Sequence, residues 1–348
     1  MLVRRRQLAL LLVASALFAW FACRPTARMQ AGPSLTGMTM GTVYSIKLGE
    51  LPAGLQVDTL HREVEQRLQQ INARMSTYQD DSELSRFNRH QDDDWFEVSK
   101  ETAGVVNVAL EISRLTDGAF DVTVGPLVNL WNFGPDAKPG HIPTTEQVEQ
   151  EKARVGYQQL EVRLSPPALR KKSPEIYVDL SAIAKGYGVD AIAELLADRG
   201  IADFMIEIGG DVRTGGTRHD GQHWRIGIEK PVSHLRSVQH VVGLSGQALA
   251  TSGDYRNVFE HEGRYYSHAI DPFTGYPVQH ELTSVSVIYL GNCMMADAWA
   301  TALLVVGPDR ALQLAEEHSL DVLLILRTDQ GFEERMTDGF SRFLLTTR

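Results

Sequence analysis

The run Met294-Met295-Ala296-Asp297-Ala298-Trp299-Ala300-Thr301-Ala302-Leu303-Leu304 holds one carboxylate and one hydroxyl, Asp297 and Thr301, in otherwise apolar surroundings. Ala, Met and Leu favour a helix, and nothing breaks it before Gly307-Pro308. The four-residue spacing sets both oxygens on one helical face. An unpaired buried carboxylate there would cost on the order of several kcal/mol, so a buried Asp297 demands a partner. Two hard oxygen ligands one turn apart suit Mg²⁺, which takes few protein ligands and completes its shell with water or phosphate. The pattern also describes an Asp at the solvent edge and a Thr bonded back to its own helix. This helix alone does not choose between the two.

Four further segments carry more glycine and polar side chains than a simple core needs. In Val178-Asp179-Leu180-Ser181-Ala182-Ile183-Ala184-Lys185-Gly186-Tyr187-Gly188 a strand ends at Asp179 and a helix follows within a few residues. Free amides at such a junction attract phosphate and Lys185 adds charge, although a plain capping turn with a surface Lys has the same pattern. Glu207-Ile208-Gly209-Gly210-Asp211-Val212 runs a strand into a turn whose glycines permit a close ligand approach or merely positive φ. Ala250-Thr251-Ser252-Gly253-Asp254-Tyr255-Arg256 is the third. The fourth is Ser267-His268-Ala269-Ile270-Asp271-Pro272-Phe273-Thr274-Gly275-Tyr276-Pro277. There His268 follows a strand at a rigid Pro/Gly turn; a lone His is commonly structural, but the string around it is long and specific.

These segments need a scaffold. Alternation over Val43–Leu48 predicts a half-buried strand, and Leu60, Val64, Leu68, Ile71 and Met75 keep the helical period over Val57–Met75. Lys100–Leu115 is a second helix, and Thr144-Thr145-Glu146-Gln147 opens a third with capping chemistry. From Ile176 short apolar runs dominate: Ile176–Leu180, Phe204–Ile208, Trp224–Ile228, Val238–Leu244, Tyr265–Ile270 and Thr283–Ile288. Helices interrupt at Gly186–Arg199, Met294–Val306 and Pro308–Glu317, and Leu320–Leu326 returns to strand. Clustered strands that turn back on themselves beside a few long helices indicate an α+β fold with largely antiparallel sheets packed with helices. The 348 residues suffice for one large domain or two lobes.

A net charge of −10 argues against a duplex nucleic-acid binder, which would carry a basic face. Arg4-Arg5-Arg6 followed by the uncharged run to Cys23 has the layout of a signal peptide over residues 1–22. Residues 23–36 then read as a tether, with order starting near Met40-Gly41-Thr42 and a folded domain over 37–348. Cys23 and Cys293 are the only cysteines, so the chain is not a disulfide scaffold. Cys23 sits where a bacterial lipoprotein signal places its lipidated residue, although Trp20 and Phe21 match that signal poorly. Cys293 reads as a buried small hydrophobe.

In order and spacing these residues resemble the ApbE family, the FAD:protein FMN transferases, once labelled thiamine biosynthesis lipoproteins. The likeness runs through Met40-Gly41-Thr42, Met75-Ser76-Thr77-Tyr78, Ser82-Glu83-Leu84-Ser85-Arg86-Phe87-Asn88, Gly118-Ala119-Phe120-Asp121 and the Asp179–Gly186 junction. It continues through Gly209-Gly210-Asp211, Trp224-Arg225-Ile226-Gly227-Ile228, Thr251-Ser252-Gly253, the His268 string and the Asp297 helix.

The resemblance implies an ApbE-like (T-fold-like) architecture and an enzyme that uses Mg²⁺ to transfer the FMN half of FAD to a Ser or Thr of an acceptor protein, releasing AMP. FAD contacts would fall on Met40, Tyr78, Ala119, Phe120, Asp121, Asp179, Lys185 and Ile270. Mg²⁺ ligands would be Asp297, Thr301 and the Ala182 carbonyl, and the catalytic set His268, Lys185 and Asp297. The family often has a second acid just before the ligand Thr; Ala300 stands there, leaving Asp297 as the principal anionic ligand. The acceptor would be an exported electron-transfer subunit, such as one from a Na⁺-pumping quinone reductase. The enzyme itself would be a lipoprotein on the periplasmic face of a bacterial membrane. Two other readings stay open: an FAD pyrophosphatase giving FMN and AMP, and a non-catalytic flavin-binding lipoprotein.

Overall fold

The computed structural model describes residues 32–135, 142–232, 237–255, 258–261 and 264–346. The proposed leader 1–22, the Cys23 lipidation site, most of the 23–36 tether and Arg256 lie outside them. Pro33–Arg348 forms one compact unit. Order begins earlier than the sequence suggested. Ser34–Thr39 is a strand paired with Thr42–Leu48, so residues 34–36 belong to the fold rather than to the tether. Their turn, Met40-Gly41, has φ of 48° and 71°, the pair of positive angles that a two-residue hairpin needs to match strand twist.

The centre is an eight-stranded sheet in the order Ser34–Thr39, Thr42–Leu48, Phe204–Ile208, Asp211–Gly215, Gln247–Gly253, Leu282–Leu290, Asp321–Thr328, Gly331–Met336. Every pairing in it is antiparallel. One face is covered by helices. Val57–Met75 buries Leu60, Val64, Leu68, Ile71 and Met75, the positions its period predicts. Lys100–Leu115 forms as expected, and Thr144 caps Thr145–Lys152 in a reciprocal box with Gln147. On the other face, the hairpin of Trp224–Glu229 and Val238–Leu244 packs Trp224, Ile226, Ile228, Val242 and Leu244 against Val212, Leu249, Ile288, Leu323 and Ile325. The α+β expectation therefore holds.

Two local expectations do not. Ile176–Leu180 forms no strand: the Asn88 side-chain amide bonds both the N–H and the C=O of Val178, and Asp179 N–H donates to Val122 O at 2.7 Å. A side chain and a loop thus satisfy backbone that a ladder would otherwise bond. The Tyr265–Ile270 run is cut to Arg264–Ser267, because the Pro/Gly turn after it returns as a single bridge between Ile270 and Pro277. Thr251-Ser252-Gly253, in contrast, ends a central strand, Gln247–Gly253.

Two helices are pressed together at the centre. Cys293–Val306 is buried almost all round, and Ala184–Asp198 packs across its first turn. Gly186 makes the approach possible: a Cβ there would lie 2.4 Å from the carbonyl oxygen of Cys293. Asp190, one turn on, accepts from the N–H groups of Cys293 and Met294, both at 2.9 Å, while Asn292 caps Met295 at 2.9 Å. These bonds satisfy the open N–H groups of a buried helix start. Gly186→Ala is expected to force the helices apart and destabilise the fold by about 1–3 kcal/mol, read from urea unfolding; wild-type stability would contradict this packing.

Candidate active site

Asp297 lies on the first turns of its helix, 2% exposed, facing the start of Ala184–Asp198. One carboxylate oxygen accepts from Gly186 N–H at 3.0 Å, and the other is 3.4 Å from Lys185 Nζ. Lys185 also donates to Asp211, itself 2% exposed, at the head of the Asp211–Gly215 strand. Asp297 is thus a buried, partnered carboxylate, and the solvent-edge reading is excluded. Lys185 lines the cleft, its ammonium held between two carboxylates rather than standing free at a helix start. Burial alone would lower the Lys185 pKa, but Asp211 and Asp297 outweigh it and hold the amine protonated well above its ordinary value. Burial, and then Asp297 beside it, push Asp211 up to about 7.

Two carboxylates around one ammonium leave this buried cluster short of positive charge. On the same helix Thr301 Oγ1 lies 3.1 Å from Ser252 Oγ, at the end of the central strand. Asp297, Thr301 and Ala182 all line the same cleft, and carboxylate, hydroxyl and carbonyl oxygens are the hard donors that Mg²⁺ takes. Ala300 is fully buried against the core, so the second acid of the cluster is Asp211, which arrives from a different element.

The cluster opens into a cleft of about 940 Å³, near the upper end of the usual range for ligand sites. Tyr78, Ala119, Phe120, Asp121, Asp179, Ala182, Lys185, His268, Ile270, Asp297 and Thr301 all line it. Met40 does not; its side chain packs on Gly188, behind the wall. Tyr78 stands at the rim, 66% exposed. His268 lies beside Phe133, their rings 6.3 Å apart.

Asp121 is a brace. Its carboxylate accepts from Thr123 N–H and Oγ1 at 2.7 Å and from Tyr157 N–H at 2.8 Å, and burial pushes its carboxyl up. Asp179 likewise accepts from Ser181 N–H at 2.9 Å and Oγ at 2.6 Å, shaping the turn that presents Ala182. The sequence reading passed over two residues that matter here. Asp211 stands in a Gly-Gly-Asp turn, and an acid next to paired glycines is the available signal. Asp190 carried no signal, because its partners come from a segment a hundred residues away. Cys293 is fully buried, as expected, and burial raises its thiol pKa.

Residues 40–324 match the model of the ApbE family. The FAD:protein FMN transferase of Vibrio cholerae is 48% identical over 310 residues, which are 89% of this chain and 92% of that protein. The Escherichia coli K12 protein of the same name is 39% identical, covering 90% of each chain. A solved flavin transferase ApbE from Vibrio cholerae superposes with a TM-score of 0.83 at 46% identity, covering 90% of this chain and 99% of that one.

The buried charges predict a pH response in metal-free protein. Folding raises the Asp211 pKa from an ordinary carboxylate value to about 7, so between about pH 4 and 7 the folded chain binds protons that the unfolded chain releases. Its contribution is therefore present in acid and lost as pH rises through 7. The melting temperature should fall between about pH 5 and 7.5, and Asp211→Asn should flatten that fall; parallel profiles would contradict the assignment. Mg²⁺ should raise the melting temperature of wild type but not of Asp297→Ala, and an equal rise in both would remove Asp297 from the metal site. The shared sequence and the superposed fold lead to one identification: this chain belongs to the ApbE family.

Proposed function

We propose that this chain is an FAD:protein FMN transferase that uses Mg²⁺ and an acceptor Ser or Thr. The transferase class follows from its family. The observation that carries the finer reading is the buried Lys185–Asp211–Asp297 cluster beside Thr301, opening into a cleft large enough for a dinucleotide.

In the proposed reaction the acceptor Oγ forms a bond to the FMN phosphorus, the bond from that phosphorus to the bridging pyrophosphate oxygen breaks, and AMP leaves with that oxygen. The hydroxyl proton goes to a base. Asp297, Thr301 and the Ala182 carbonyl would hold Mg²⁺, which when bound neutralises charge on the pyrophosphate oxygens. Lys185, kept protonated by its two carboxylates, offers a fixed positive donor to the same oxygens. Gly186 N–H and the Asp190-capped helix start keep Asp297 in place. His268 lines the cleft and takes the hydroxyl proton, since imidazole titrates near neutral pH.

The proposal extends to placement. A leader over residues 1–22 and a lipid on Cys23 would anchor the enzyme at the periplasmic membrane face, where an exported electron-transfer subunit would be its acceptor.

The test incubates purified protein with FAD and Mg²⁺, with and without the flavin-accepting domain of such a subunit. AMP matched by an FMN mass gain on the acceptor establishes the transferase. AMP with only free FMN indicates a pyrophosphatase, and retained FAD without AMP a flavin carrier. Asp297→Ala should abolish transfer, and His268→Ala should slow it about 10²-fold or more. Transfer by His268→Ala within about twofold of wild type would remove His268 from proton handling.

A further inference from the structure

The hairpin over the far face of the sheet has one used edge and one free edge. The outer edge of Val238–Leu244 is taken by the C-terminal segment: Gly243 N–H donates to Phe343 O at 2.9 Å and Leu345 N–H to Val241 O at 2.8 Å. Val241 and Gly243 therefore point away from Trp224–Glu229, and Val242 and Leu244 bond towards it. By the pairing Ile226 with Val242 and Trp224 with Leu244, the N–H and C=O groups of Arg225 and Gly227 face outward on the other edge. Among the described residues no strand pairs there, and both residues are exposed and line the cleft.

Below this edge, among the described residues, no strand or helix covers the sheet face. Val43, Ser45 and Lys47 of one strand and Glu207 of its neighbour all line the same cleft, with Ser45 registered against Glu207. Val43 is 56% exposed. The trough ends at the reacting groups: a Cβ on Gly209 would lie 2.9 Å from Thr42 Cγ2 and 3.4 Å from Lys185 Cδ.

We propose that this trough binds an extended segment of the acceptor protein as an added β-strand, pairing with Arg225 and Gly227 and lying over Val43, Ser45 and Glu207. The inference rests on the transferase reading above. A polypeptide is the occupant because the unpaired groups alternate as donor and acceptor at two-residue spacing, the repeat of a strand. The trough also runs into the Lys185 cluster, so a strand laid in it delivers one of its hydroxyls there. Of the residues carried over for FAD, Phe120 and Ile270 pack instead in other clusters than the hairpin.

The experiment measures covalent FMN incorporation by the full chain as that acceptor domain is titrated, with FAD affinity read separately from flavin fluorescence. Gly227→Pro removes the outward N–H, and Val43→Arg fills the trough from an exposed position, so folding of either suffices. The expected result is an acceptor KM raised about tenfold or more, the effect of losing one or two hydrogen bonds, with FAD affinity within about twofold. Unchanged acceptor KM in the folded variants would overturn the inference alone. Lost FAD affinity at unchanged acceptor KM would overturn it too, by giving the trough to the flavin. A wild-type chain that attaches no flavin would overturn the transferase reading, and this inference with it.

Discussion

Lys185, its side chain 32% exposed at the cleft, is flanked by Asp211 and Asp297, and each of those buried carboxylates sets its charge against that one ammonium. Removing Lys185 would leave two buried carboxylates facing each other without their counter-charge, a loss of about 3–5 kcal/mol in comparable pairs. The three groups come from a helix start, a strand start and a second helix. Their mutual dependence therefore ties together elements that the chain brings in at residues 185, 211 and 297. Much of the surrounding architecture can be read as what keeps that contact short.

The closest approach lies between the two helices. Gly186 has no side chain because the backbone of Cys293 occupies its place, and its N–H is one of the donors that Asp297 uses. Asp190 repeats the arrangement one turn further on, spanning both N–H groups and the Arg213 guanidinium at 2.7 Å. Carboxylates at a helix start are favoured by its partial positive charge, so the junction is electrostatically consistent as well as closely packed. The result is a rigid floor for a cleft whose rim is made of loops and a free strand edge.

That division has consequences for chemistry. A cluster already organised by buried charge needs little rearrangement when a pyrophosphate arrives, which is the condition under which fixed dipoles and charges act most strongly on a reacting group. Groups at the rim, such as Tyr78 and the Arg225–Gly227 edge, are exposed and suited to partners that must come and go. Asp121 and Asp179 stand between the two roles: each spends carboxylate oxygens on its own loop and so holds the wall in shape.

Periodicity and punctuation in the sequence determined the amphipathic helices, most sheet strands, the antiparallel α+β class and the motif string that carries the family likeness. These depend on neighbours within a few residues, where side-chain spacing and turn chemistry act directly. The i,i+4 pairing of Asp297 with Thr301 was legible for the same reason. Long-range satisfaction was not. Ile176–Leu180 had the composition of a strand, but Asn88 from far upstream took its backbone bonds. Met40 matched a motif, yet the hairpin that it turns carries its side chain onto Gly188 and away from the cleft. Only the tertiary structure decided that the second acid of the cluster is Asp211 rather than a helical neighbour of Thr301, because a buried charge is partnered by whatever the fold brings within about 4 Å, and spacing along the chain does not encode that distance.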